Sequence, residues 1–453
     1  MDNINRDRWL VRIVAVLLWI ILFAQPSIAG EKWFRGQLHA HTYWSDGRGF
    51  PEQAAEVYKQ RGYNFLCLTD HNRFAEDKEV WRDVEATEGS WPPKVSQEIF
   101  DSYLQSFGKD RVETRRNGSL TSVRLKTYEE VKAQFDDPGK FILLPGVELT
   151  QNLNKYAIHM NYINLPVILP VIKGAGLIQT VSEPREIDKL ISMNASETEQ
   201  AATQLHKKYL LILNHPFWVY CDIRPDNLIN CPEIRFFEIC NGGSDYAPYP
   251  SASTYTPEKF WDVVNAFRCI RGTPLLYGVA SDDAHFYDAK RISVNGGVGD
   301  AWVMVRAAAL TPDALLTAMH MGNFYASTGV LLDKIDFSTA KNTLSVNVKA
   351  EPGVKYRIHF ITTKQGFDQQ VKKVDIPADK GRPVRRVPIY SDEIGQTVKT
   401  VEGTRASYRL NADDLYVRAR VESNRPSRIT AYFHPTVTTA WTQPYPARSA
   451  SMR

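Results

Sequence analysis

Residues 34–47 read FRGQLHAHTYWSDG, and residues 64–72 read NFLCLTDHN. In both stretches a short apolar run ends on side chains that bind cations. His39 and His41 close the first run, with Asp46 in the turn behind them, and His71 closes the second. The device recurs through the first two thirds of the chain. Glu148 stands in PGVE, His159 in AIHMN, His215 in LNHP, and Asp283 with His285 in DDAH. Six of the ten histidines fall in these motifs. Strands that each deliver a polar residue at the same end are what a parallel barrel presents.

Working outward, strands are expected at 34–39, 64–70, 141–147, 157–163, 209–214, 235–240 and 275–281. Helices are expected at 51–61, 197–208 and 256–269, the first with a proline near its start. Strands alternating with helices of these lengths argue for a parallel α/β barrel rather than a sandwich. Residues 73–140 and 165–194 are too long for plain connections. At the ligand end of a barrel such insertions are lids or substrate walls, the alternative being a surface excursion. After Gly329 the pattern changes. Leu344, Val346 and Val348 alternate with polar residues, as do Val417, Ala419 and Val421, a period of two that marks half-buried strands. The expected division is a leader at 1–29, a barrel at 30–331 and a small antiparallel β domain at 332–453.

The leader rests on Arg6, Arg8 and Arg12, an apolar run at 13–24 too short for a comfortable span, and the small residues Ser27 and Ala29 near a cleavage point. Cleavage before Gly30 and export to a bacterial periplasm or beyond are expected, with an uncleaved N-terminal anchor as the alternative. No stable membrane span is expected in the mature chain. A formal charge of +4 over 453 residues, without a long basic run, gives no support for a nucleic-acid partner. The five cysteines fit no zinc-type pairing. Cys67 reads as a core thiol, and Cys240 and Cys269 as buried singletons. Cys221 and Cys231 could form a bridge or remain thiols.

Imidazole and carboxylate are the ligands that Zn²⁺, Mn²⁺ and Fe²⁺ share. His39 and His41 lie two apart, so on a strand they face the same way, and Asp283 with His285 repeats the device. Glu148 can bridge two ions about 3.5–4 Å apart. Nine ligands exceed the roughly four to six that one ion takes, so two or three divalent ions are implied.

The order HAH, SDG, TDHN, GVE, H, NHP, DxH resembles the PHP (polymerase and histidinol phosphatase) metallohydrolases. The similarity is greatest to the carbaryl-hydrolase-like (CehA/McbA-type) branch. Carrying residues are LHAHTYWSDG at 38–47, FLCLTDHN at 65–72, LPGVELT at 144–150, EICNGG at 238–243, YGVASDDAH at 277–285, and WVMVRA followed by GNFYASTG at 322–329. The resemblance spans residues 33–329, with a weaker echo beyond. It implies a distorted (β/α)7 barrel with up to three metals. His39, His41, Glu148 and Asp283 would hold one ion. Glu148, His159 and His215 would hold a second, and Asp46, His71 and His285 a third. Asp70 and Asp282 are expected to bond a histidine from behind or to replace a ligand.

The chemistry expected is hydrolysis by a water that adjacent ions acidify, giving a metal-bridging hydroxide. It suits a phosphoester and equally a carboxyl ester, carbamate or amide of a small molecule. No GxSxG elbow competes. Asn72, Arg73 and Asn241 follow strand ends and could bond a substrate oxygen, with Glu148 as the central catalytic ligand. Trp44, Trp218 and Tyr220 flank ligand motifs and could wall an apolar pocket, or pack as core. Tyr325, Ser327 and Thr328 could reach the site or belong to a turn. The competing reading is a non-catalytic binding protein whose C-terminal β domain recognises a glycan or protein partner.

Overall fold

The computed structural model describes residues 30–85, 93–174, 176–244, 256–288, 290–291, 296–377, 385–429 and 435–447. The expected leader lies outside the described residues. The chain starts with β1 (Lys32–Gln37), α1 (Pro51–Gln60) and β2 (Phe65–Leu68). Residues of the first insertion then form β3 (Trp81–Glu85), β4 (Val95–Ser96), α2 (Gln97–Phe107), β5 (Thr114–Asn117), β6 (Leu120–Arg124) and α3 (Tyr128–Phe135). A long hairpin follows, β7 (Ile142–Leu153) and β8 (Tyr156–Ile163), then β9 (Gln179–Val181), α4 (Ile187–Leu205) and β10 (Leu210–Leu213). Next come α5 (Pro225–Asn230), β11 (Phe236–Asn241), α6 (Pro257–Arg271), β12 (Tyr277–Ser281), β13 (Trp302–Ala307), α7 (Pro312–His320) and β14 (Phe324–Ser327).

The strand path runs β12-β11-β10-β8-β7-β2-β1-β13-β14. Neighbours β1, β2 and β7 are parallel, as are β10, β11 and β12. Their continuous apolar runs have a physical cause. Phe65 and Cys67 pack with Ile142, Leu144, Leu210 and Ile212 on one face, while Leu66, Leu68 and Leu143 pack against Ala54, Tyr58 and Val131 of α1 and α3 on the other. Strands covered on both faces have no polar side to alternate with.

The fold is mixed α/β, but the purely parallel arrangement expected from sequence does not hold. β8 runs antiparallel to both β7 and β10. The turn joining it to β7 is two residues long, with Asn154 and Lys155 at φ 52° and 71°. Two consecutive left-handed residues match the twist of a tight hairpin, and asparagine tolerates that region better than most side chains. Beyond the strands the ladder continues in single bridges. Ala40, past β1, pairs in parallel with Ala284, past β12, and His71 pairs with Glu148.

After residue 331 every strand pairing among the described residues is antiparallel. The elements are β15 (Leu332–Ser338), β16 (Thr343–Val348), β17 (Tyr356–Thr362), β18 (Lys372–Ile376), β19 (Arg385–Ile389), β20 (Gln396–Glu402), β21 (Arg405–Arg409), β22 (Tyr416–Pro426) and β23 (Val437–Thr442). The period-two pattern does place Leu344, Val346 and Val348 in the core of β16. These strands are joined to the first part of the chain, because β23 pairs with β14. Arg418 of β22 also reaches α6, where its guanidinium forks onto Asp262 with both groups buried. All five cysteines are free, so Cys221 and Cys231 are thiols. Cys231 lies against the carbonyl of Asp188 instead, 3.2 Å away.

Candidate metal centre

Glu148, fully buried within β7 where His71 past β2 bridges to it, is the hub of a cluster. Its Oε1 lies 3.2 Å from His159 Nδ1, 3.3 Å from His215 Nε2 and 3.5 Å from His39 Nε2. Its Oε2 lies 2.7 Å from His71 Nδ1 and 3.4 Å from His41 Nε2. Asp283 Oδ1 stands 3.2 Å from His39 Nε2 and 3.0 Å from His41 Nε2. Asp46 Oδ1 is 3.5–3.8 Å from nitrogens of His41, His71 and His285. All nine residues singled out in the sequence therefore meet in one place.

They fall into four overlapping sets whose donor atoms lie within 4.8 Å of one another. His41, Asp46, His71 and His285 form one; His39, His41 and Glu148 a second; His71, Glu148 and His159 a third. The fourth joins His215 to His39 and Asp283, whereas the resemblance had grouped it with His159.

The donor set fits divalent ions. Bonds of about 2.0–2.2 Å at tetrahedral or octahedral angles separate neighbouring ligand atoms by about 3.0–3.5 Å, close to the separations here. Hydrogen-bond geometry is poor: Glu148 Oε2, Asp283 Oδ1, both nitrogens of His159 and Nδ1 of His215 are buried, and although some of them lie close to a neighbouring imidazole or carboxylate, none makes a well-directed hydrogen bond. Charge tells the same story. Burial works against charge on His39, yet Asp283, Glu238 and Glu148 raise it well above the usual histidine range. Burial also opposes charge on His285, but Asp46 lifts it to about 9. His159, where burial dominates, is pushed down to about 4. Without ions, protons on the imidazoles balance carboxylates that a cation would otherwise neutralise.

The strand ends bend sharply to aim these groups. Asn72, His215 and Asp283 hold φ of 49°, 24° and 51°, a region costly for side chains with a Cβ. Gly47 in the SDG turn has a separate reason. A Cβ there would sit 2.4 Å from the carbonyl carbon of His41. The first insertion braces this turn from outside. Arg82 Nε donates to the Tyr43 carbonyl at 2.9 Å, Trp44 Nε1 to the Lys126 carbonyl at 3.0 Å, and Phe50 stacks on Tyr103 at 3.8 Å. Trp44 is thus core, not pocket wall.

Other expected residues find different work. The Asn72 amide donates to the carbonyls of Thr150 and Leu177 and accepts from Thr150 N–H. Arg73 follows it outside the cavity lining. Asn241 donates to Glu238 and Asp283 and accepts from the N–H groups of Gly243 and Ser244. Asp70 takes hydrogen bonds from Thr42 and Ser45, and Asp282 from Tyr58 and the backbone of 299–301; neither carboxylate bonds a histidine. Tyr325, Ser327 and Thr328 bond Leu332, Val330 and Thr439, at the junction with the C-terminal strands and away from the ligands. The residue that sequence reading missed is Glu238, buried on β11 and bonded to His39 Nδ1 at 2.8 Å. A carboxylate inside the apolar run RFFEIC was the available signal.

A cavity of about 430 Å³ opens onto the cluster. Asp46, His71, His159, His215, Asp283 and His285 form its polar floor. Leu177, Ile178, Trp218 and Phe286 give it an apolar side, and Arg48 and Ser244 line it as well. Leu177 and Ile178 come from the second insertion, which therefore walls the pocket. Trp218 packs edge-on against His215 at 5.2 Å and against Tyr220 at 4.7 Å.

No family model matches this chain, and no curated protein matches it. Among solved structures it is similar to a two-domain protein of Bacteroides vulgatus described as containing a PHP-like metal-dependent phosphoesterase. That likeness has 14% identity, covers 91% of this chain and 96% of the other, and has a TM-score of 0.38. A Bifidobacterium adolescentis protein described as a metal-dependent phosphoesterase matches at 12% identity over 58% of this chain and 89% of its own, with a TM-score of 0.28. An amidohydrolase of Chromobacterium violaceum with bound sulfate and no metal matches at 12% identity, 55% and 87% coverage, and a TM-score of 0.26. At these scores the likenesses carry no weight for the chemistry of this chain.

Proposed function

We propose that the chain is a metal-dependent hydrolase of the PHP class that cleaves an ester-type bond in a small molecule. The observation that carries this reading is Glu148: one buried carboxylate faced by five imidazoles, in a cluster whose donor atoms converge closely enough to hold a cation. In this reading β1, β2, β7, β8, β10, β11 and β12 close a distorted seven-stranded barrel through the Ala40–Ala284 bridge. Residues 332–453 would form a β-rich C-terminal domain that continues the sheet of the first part, and the chain would be exported after loss of residues 1–29.

His39, His41, Asp46, His71, Glu148, His159, His215, Asp283 and His285 would hold two or three ions such as Zn²⁺, Mn²⁺ or Fe²⁺. Bound divalent ions supply an acidified water and polarise a substrate oxygen. The protein's own part is placement. Glu148 would be shared between neighbouring ions, since it belongs to two of the ligand sets. Leu177, Ile178, Trp218 and Phe286 would take up the organic part of the substrate and keep water from the floor. Asn72 and Asn241 would hold the ligand strand ends rather than touch substrate.

The test is turnover of p-nitrophenyl phosphate, a phosphodiester and acyl esters by apo protein reloaded with Mn²⁺ or Zn²⁺, with elemental analysis beside it. Hydrolysis that needs metal and fails in His39→Ala supports the reading. Wild-type protein that retains less than one ion per chain after reloading would sink it. Export is tested by fractionation and by sequencing the mature N-terminus.

A further inference from the structure

Glu238 lies behind the cluster, 1% exposed, and belongs to none of the candidate ligand sets. Its oxygens are already saturated. Oε1 accepts from His39 Nδ1 at 2.8 Å and from the Ser281 hydroxyl. Oε2 accepts from the His215 backbone N–H at 2.7 Å and from Asn241 Nδ2 at 2.8 Å. A carboxylate offers about four acceptor sites, so little capacity is left for an ion. The four donors come from past β1, past β10, from β11 itself and from β12.

We infer that Glu238 is the positioning residue of the metal centre, and that it works by fixing the tautomer of His39. This rests on the metallohydrolase reading above. A carboxylate can only accept, so it holds the His39 proton on Nδ1. The lone pair of Nε2 then faces His41, Glu148 and Asp283, at 3.0, 3.5 and 3.2 Å. The same carboxylate pins the strained backbone of His215 through its N–H and, through Asn241, orients Asp283, which lies 3.2 Å from the Asn241 amide. One side chain therefore sets three ligands without touching the ion. Carboxylates behind ligand histidines do this elsewhere.

Glu238→Gln exposes the device. Glutamine has one acceptor oxygen and an NH₂ that must face two of the four donors. The His215 N–H cannot turn, and Asn241 is held by Gly243 and Ser244. The hydroxyl of Ser281 can turn, and His39 can move its proton. The amide NH₂ therefore settles toward His39, whose proton shifts to Nε2, and the ligand lone pair is lost.

The experiment is titration of apo protein with Co²⁺, read by calorimetry and by the visible bands of the bound ion, for wild type, E238Q, H39A and the double variant. E238Q is expected to weaken Co²⁺ binding by about tenfold or more. In the His39→Ala background E238Q should add little, because it acts through that imidazole. Apo-protein melting is followed in parallel. Wild-type affinity in E238Q would overturn the inference. So would equal losses from E238Q with and without His39, or a loss that tracks a fall in apo melting temperature. Wild-type protein that takes up no Co²⁺ would overturn the metallohydrolase reading itself, and this inference with it.

Discussion

Glu148 concentrates the electrostatics of the whole centre in one side chain. Burial opposes its charge, yet His71, His39 and His159 hold its carboxyl well below the usual carboxylate range. Glu148→Gln removes that negative charge but keeps the shape. The variant is expected to lose most of its bound metal in elemental analysis and nearly all metal-dependent turnover. Asp300 shows the reverse balance, away from the ligands. Burial and the nearby Asp282 carboxylate push its pKa up to about 7 from 3.8, against the pull of Arg428 and Arg61. The folded chain thus keeps a proton that the unfolded chain releases near pH 4. That contribution is complete below about pH 4 and lost as pH rises through 7. Asp300→Asn mimics the protonated acid and gives up an ion pair to a half-exposed arginine, which is worth little. It should raise stability at pH 8 by on the order of 1–3 kcal/mol relative to its effect at pH 5, measured by denaturant titration at both values.

Among elements, the turn at 42–47 and the first insertion behave as one unit. Gly47→Ala would drive a methyl into the His41 backbone, and overpacking of this kind costs about 1–3 kcal/mol. Metal binding through Asp46 should fall with it, seen as a lower Co²⁺ stoichiometry. Tyr103→Phe should cost about 1–3 kcal/mol in chemical denaturation, because the hydroxyl that satisfies buried Glu52 disappears and Lys126 remains 3.4 Å away. The ligand strands were legible in the sequence for a plain reason: FLCL and LLIL are buried on both faces and end on histidine, so composition and position agree. The direction of β8 was not legible, because Asn154-Lys155 lacks the glycine that usually marks a tight hairpin. The bracing role of residues 73–140 was hidden too. It depends on contacts such as Arg82 to Tyr43 and Phe50 to Tyr103, between segments far apart in the chain. Glu238 received no role although EICNGG was among the resembling motifs, because it stands inside an apolar strand and not at a strand end like the other ligands.

Across the whole molecule, the two parts of the chain are tied by a buried ion pair and a shared sheet. Asp262 receives the Arg418 guanidinium and the Tyr416 hydroxyl, and Glu258 adds a second carboxylate at 3.0 Å. Asp262→Ala leaves Arg418 with that single, more exposed carboxylate. It should cost about 3–5 kcal/mol and lower the unfolding midpoint of both parts together in one transition. The shared sheet bears on timing as well. β14 finds its partner β23 more than a hundred residues later, so a nascent chain that has passed residue 327 still carries a raw sheet edge. Only when residues 437–442 join the sheet can that edge be covered. Pairings this distant fold slowly and leave sticky intermediates. Until residues 437–442 are in place, that edge is open to pairing with other chains, and the length of that wait is written into the order of the strands.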